Sequence, residues 1–163
     1  MRELHYCTKE LQKASRCLRV LSKIPDDVVS IFPSLNFNVK KHFVYSAIII
    51  RKMQEIHQLP QIDNYKIKVM RYPYINTNDP ASQTMWAADY DSANYIQETV
   101  ELRKICNSLI HSYVYDVLYQ IDKNKKSQYM AYVGVASDYD KEKHVYVVSI
   151  KDWIECLLYL AKV

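Results

Sequence analysis

Leu102-Arg103-Lys104-Ile105-Cys106-Asn107-Ser108-Leu109-Ile110-His111-Ser112-Tyr113-Val114-Tyr115-Asp116-Val117-Leu118 is the stretch on which the fold class turns. Leu102, Cys106, Leu109, Tyr113 and Val117 recur at steps of three or four residues, the spacing of one helix face. Ile105, Ile110, Val114 and Leu118 widen that stripe. Asp91-Ser92 can open the element, so the spacing predicts a long helix over roughly 92–120. That reading makes the protein mainly α: a helical bundle with a small β-hairpin and a final helix at its C-terminal end.

The upstream sequence supports helices. Leu4, Cys7, Leu11, Ala14, Leu18 and Leu21 alternate three- and four-residue steps, which predicts a helix over residues 2–22. Lys9, Lys13, Arg16 and Arg19 fall on its other faces, where a basic side can meet phosphate or solvent. Pro25-Asp26-Asp27 breaks the chain and caps a short turn through Phe32. Asn38 reads as the N-cap of a second long helix, to about residue 58, with Phe43, Ala47, Ile50 and Met53 inward. On it Arg51 and Glu55 stand one turn apart and can pair. Pro60 stops it. Tyr65 to Tyr72 alternates and predicts a strand. Pro73 to Pro80 predicts a loop, and Trp86 either anchors a partner or packs over a helix end.

Downstream, Met130 to Ala136 and Val145 to Ile150 are rich in Tyr and Val and predict two strands of a hairpin. The intervening Ser137 to Lys143 is charged and solvated. Lys151-Asp152 begins a last helix through Leu160. With no repeat and no linker, residues 1–163 are expected to form a single domain, with 128–163 as a hairpin-plus-helix extension.

Composition removes whole function classes. The chain has 163 residues and one Gly, where average usage of about 7% would give about eleven. Backbones that cradle phosphates need several glycines, which excludes a P-loop, a dinucleotide-binding turn and a nucleophile elbow. Twenty-two basic against eighteen acidic residues leave a net charge of +4, compatible with a polyanion but not demanding one. Fifteen Tyr suggest either a binding surface or a half-wet core. Cys7, Cys17, Cys106 and Cys156 form no C-x-x-C pair. With no leader pattern and no long apolar run, a reduced, cytoplasmic protein away from membranes is expected. His5, His42, His57, His111 and His144 show no metal-ligand spacing, so no metal or cofactor is expected.

The chemistry concentrates in the same stretch. Arg103, Asn107 and His111 are four residues apart, so on one helix they form a polar line beside the apolar stripe. An imidazole moves protons near neutral pH, a guanidinium neutralises phosphate charge, and an amide orients a ligand. A purely structural reading stands beside this one. In it His111 hydrogen-bonds Asn107, Cys106 is a small core residue, Arg103 pairs with Glu98 or Glu101, and Tyr113 is core.

Cys106-Asn107-Ser108-Leu109-Ile110-His111-Ser112-Tyr113 resembles the HEPN superfamily motif, in which Arg, a polar residue, three further residues and His lie along one helix. One toxin branch continues as His-x-Tyr. The likeness is close over about twenty residues and loose over a longer span that includes Ile50-Arg51-Lys52-Met53-Gln54-Glu55. The resemblance implies a helical bundle that pairs into a homodimer and cleaves RNA without metal at a shared cleft. His111 would assist attack of the 2′-hydroxyl, and Tyr113 would correspond to the residue that a partner antitoxin modifies. Cys106 stands where the family has Arg, and a neutral thiol cannot neutralise phosphate; losing such a charge costs on the order of 10²–10³-fold in rate. Arg103 and Arg51 are the substitutes at hand.

The expected function is therefore a HEPN-like module, non-catalytic or weakly active, that binds a protein, nucleotide or RNA at the His111 cleft. Its chemistry would fall to His111, Asn107 and Arg103, and its binding to Tyr113, Arg51 and Cys106. The alternatives are a metal-independent ribonuclease acting as a toxin or defence effector, and an unrelated helical immunity or adaptor protein. A homodimer, an antitoxin or other protein, and RNA or a nucleotide are the expected partners.

Overall fold

The computed structural model describes residues 2–57, 59–75, 89–122, 124 and 126–163. In chain order the elements are α1 (Arg2–Leu21), α2 (Asp26–Ile31), α3 (Ser34–His57), α4 (Pro60–Asp63), β1 (Lys66–Pro73), β2 (Ile96–Glu101), α5 (Leu102–Ile110), β3 (Ser112–Asp122), β4 (Ser127–Ser137), β5 (His144–Ser149) and α6 (Ile150–Leu160). Of the loop expected from Pro73 to Pro80, Pro73 instead closes β1, and residues 76–80, like Trp86, lie outside the described residues.

The helical-bundle expectation is corrected by a five-stranded sheet in the order β2-β1-β5-β4-β3, in which every neighbouring pair is antiparallel. The difference lies between Ser92 and Gln120. Residues 92–120 are not one helix: they divide into β2, α5 and β3. The stripe Leu102, Ile105, Cys106 and Leu109 is a helical face and is buried, but it ends at Ile110. From Tyr113 to Asp122 six of ten residues are β-branched or aromatic, which favours a pleated strand. Tyr113 and Val117 continued the helical spacing only because a four-residue step also fits a period of two. In β3 the alternation sends Tyr115, Val117 and Tyr119 onto the core. Residues 128–163 supply the two strands β5 and β4 inside the sheet, not a small hairpin.

One face of the sheet carries the helices. Ile67, Val69, Val133, Val135, Tyr146 and Val148 point into the main core beneath them. α5 and α6 lie on the sheet, α3 packs over α5 and reaches β3, and α1 rests on α3 and α6. α6 follows β5 without a loop because Ser149 caps it, its Oγ accepting the Asp152 N–H at 3.3 Å. Trp153 then stacks on Phe43 of α3, ring centroids 5.2 Å apart, and donates its indole N–H to Ser46 Oγ at 3.1 Å. On the other face, Tyr90, Ala136 and Val145 form a small cluster with Tyr72, Tyr74 and Val114. None of the described helices is long and apolar enough to cross a membrane.

Candidate functional site

α5 is nine residues long and strongly two-sided. Leu102, Ile105, Cys106 and Leu109 are buried against α3 and the sheet, while Arg103, Lys104 and Asn107 face outward. The helix ends because the chain turns into β3. His111 occupies the C-cap with φ −105° and ψ 33°, and its backbone N–H donates to the Asn107 carbonyl at 3.0 Å. The imidazole is thus placed at a helix end and exposed to solvent.

Beside this end lies a depression of about 600 Å³, within the usual range for small-ligand sites. One wall is Lys104, Asn107, Ser108 and His111. The other is the β4–β5 connection: Ser137, Asp138, Tyr139 and Asp140. Hydrogen bonds fix that connection. The Asp140 N–H donates to Ser137 Oγ at 3.3 Å, and the Lys141 N–H donates to the Ser137 carbonyl at 2.9 Å. Lys141 also pairs with Asp138 at 2.6 Å while lying 3.8 Å from the Tyr113 ring centroid. Lys143 lies 3.4 Å from the centroid of Tyr139.

Lys104 links the depression to the sheet. Its ammonium is 5.2 Å from the ring centroid of buried Tyr146. A hydrogen bond to Tyr146 raises the lysine pKa, as do the nearby charges of Asp140 and Glu98, against partial desolvation. Next to Tyr146, and edge-on to it at 4.6 Å, is His144. Burial pushes the His144 pKa below its ordinary value; Lys104 and Arg71 push the same way, and Asp140 and Glu98 oppose them. Its Nε2 is buried without a hydrogen-bond partner. Arg71 is held by Glu98 at 2.8 Å.

The sequence-derived residues separate into two groups. Asn107 and His111 enter the depression together. Arg103 is exposed and does not line it, and among the described residues it forms no ion pair with Glu98 or Glu101. Arg51 is on α3, bonded to Glu55 at 2.6 Å and to Gln54 Oε1 at 3.0 Å. Cys106 is fully buried, and burial, followed by Cys156, raises its thiol pKa well above the usual range, with Arg51 opposing. Tyr113 is 59% exposed, so it is a surface ring and not core.

The sequence reading leaves out Lys104 and Asp140, which line the depression, and His144, which lies behind it against Tyr146. Lys104 was legible: Lys104, Asn107, Ser108 and His111 follow three- and four-residue steps that share a face. Asp140 and His144 carry no such signal, because only the strand pairing brings them to α5. Among the described residues no group of three or more His, Cys, Asp or Glu side chains is placed to hold a metal ion. No known family, curated protein or solved structure matches the chain.

Proposed function

We propose that the protein binds a nucleotide, free or as one residue of an RNA chain, in the depression at His111, and does so without cleaving it. The observation that carries this reading is the meeting of accessible His111 and Asn107 with Lys104 across a nucleotide-sized concavity from Tyr139 and two carboxylates. Lys104 supplies a cation for phosphate. Tyr139, 80% exposed, offers a ring for stacking on a base. Asn107 has the donor and acceptor needed at a base edge, and Asp138 and Asp140 can accept from ribose hydroxyls.

The reading is non-catalytic because neither arginine that the resemblance offers for transition-state charge reaches the depression. Arg51 is engaged with Glu55, and Arg103 lies outside it. The proposal rests on the depression itself and not on the short HEPN resemblance.

Titration with AMP, GMP, CMP and UMP, followed by backbone amide shifts and calorimetry, tests it. Shifts at Asn107, His111 and Tyr139, with affinity reduced at least tenfold in His111→Ala of unchanged circular dichroism, are expected. No shift in this region at millimolar nucleotide would refute the reading.

One observation favours a second reading, metal-independent RNA cleavage. Accessible His111 and the Lys104 ammonium line the same depression, a proton carrier beside a cation for phosphate. In that case single-stranded RNA would be cut in EDTA, and His111→Ala would abolish the cutting.

A further inference from the structure

α1 and α3 run antiparallel and meet along an exposed seam. Glu3 pairs with Lys52 at 2.5 Å, and the hydroxyls of Tyr6 and Tyr45 are 3.3 Å apart. Further along, Lys13 of α1 and Lys41 of α3 both act on half-buried His42 and, with its burial, lower its pKa. The antiparallel register set by Glu3–Lys52 and Tyr6–Tyr45 brings Lys13 of α1 level with Lys41 of α3. Lys9, Lys13 and Arg16 follow one another at four and three residues, so they form one stripe on α1, and all three are exposed, as is Lys41.

The carboxylates that would ordinarily balance such a stripe are engaged. Glu3 holds Lys52 and Glu55 holds Arg51, while Glu10 is directed at the Tyr45 hydroxyl. Among the described residues Lys9, Lys13, Arg16 and Lys41 form no ion pair. Glu10 keeps its charge, so the four cations together with it leave the ridge a net charge of about +3 that no ion pair among the described residues neutralises.

We propose that this α1–α3 ridge binds the phosphate backbone of a nucleic acid. The three cations climb α1 by about 4.5–6 Å per step, a row of separate charges for a strand that carries one phosphate per roughly 3.4 Å of axis. A membrane surface fits less well. An interfacial helix must sink an apolar face into the acyl boundary, and the apolar face of α1 (Cys7, Leu11, Ala14, Leu18) is spent in the core. An acidic protein would want an apolar centre to its interface, and the stripe from Lys9 to Arg16 has none. Tyr6 and Tyr45, 52% and 37% exposed, flank the ridge with rings that can meet sugar or base.

The ridge is separate from the depression at His111, none of its residues lining that site, and the proposal does not rest on the nucleotide-binding reading. Fluorescence anisotropy with a labelled 20-nucleotide single-stranded RNA and a labelled 20-base-pair DNA, between 50 and 200 mM salt, tests it. Four phosphate contacts predict a log–log salt slope of about −3 for the single strand. Lys13→Gln with Lys41→Gln, both surface changes, is expected to reduce that slope by about 1.4 and weaken binding about tenfold at low salt. Absence of salt-dependent binding to either probe, or a double variant with unaltered slope and affinity, overturns the proposal. So does binding to phosphatidylserine vesicles or polyglutamate with no binding to RNA or DNA. Ridge binding that persists while mononucleotides fail to bind the depression upholds the ridge and refutes only the earlier reading.

Discussion

Lys104 holds its ammonium 5.2 Å from the ring centroid of Tyr146. This contact ties the exposed side of α5 to a strand inside the sheet and leaves a positive charge at the base of the depression. Lys104→Met keeps most of the stem and removes the charge. Loss of one charge-assisted hydrogen bond, about 1.5–3 kcal/mol, should weaken binding of a nucleoside monophosphate at least tenfold by calorimetry, with the fold intact. Unchanged affinity would take Lys104 out of the phosphate site.

His144 gives the protein a pH-dependent stability with a definite sign. Its folded pKa lies below the unfolded value of 6.5, so the unfolded chain takes up the proton first as pH falls. The stabilising contribution is complete above about pH 6.5 and is lost progressively below it. Urea midpoints should therefore drop from pH 7.5 to pH 5.5, and His144→Gln should make that drop smaller. His42, whose pKa is lowered in the same direction, should account for part of what remains. A drop of equal size in the His144 variant would show that its imidazole does not sense folding.

Ser46 serves two neighbours at once. It accepts the Trp153 indole N–H at 3.1 Å and donates to the His42 carbonyl at 2.6 Å. Ser46→Ala would leave a buried indole N–H without a partner, costing about 1–3 kcal/mol, readable as a lower urea midpoint with an unchanged slope. A shift under about 0.5 kcal/mol, the range of ordinary surface substitutions, would mean that the Phe43–Trp153 stack carries the contact by itself.

Thiol reactivity should be confined to one position. Cys7, Cys106 and Cys156 are buried, Cys17 is partly exposed, and all four are free. Burial raises the Cys156 pKa to about 12 and lifts those of Cys7 and Cys106 as well, which suppresses the nucleophilic thiolate. Iodoacetamide at pH 8, followed by mass spectrometry, should mark Cys17 first in the native protein and all four after denaturation. Early labelling of Cys106 would contradict the packing of α5.

Local patterns specified the helical half of the fold well. The burial periods of α1, α3 and α6 were readable because each repeats over several turns. The β1, β4 and β5 strands were also visible in their Tyr and Val alternation. β3 was not, since Tyr113 and Val117 satisfy both periods and carry the three- and four-residue spacing past His111; β2 was not, since only Ile96 and Val100 of its six residues are apolar. The candidate site was half legible for the same reason. Asn107 and His111 belong to one continuous segment, whereas Asp140 reaches the site only through the antiparallel strand pairing that carries the β4–β5 connection to α5. Arg51 and Cys106 sat at the right spacing for chemistry but on faces that packing turned inward.

The pairing of β1 with β5 also sets an order of events in the cell. A ribosome releases β1 and β2 long before it has made the strand that joins them to β4 and β3. Until then two hairpins wait with open flanks, each a template for wrong partners, and the long sequence separation slows the correct closure. A nascent chain arrested before residue 144 should therefore depend on chaperones and yield to protease, whereas the finished chain should resist both.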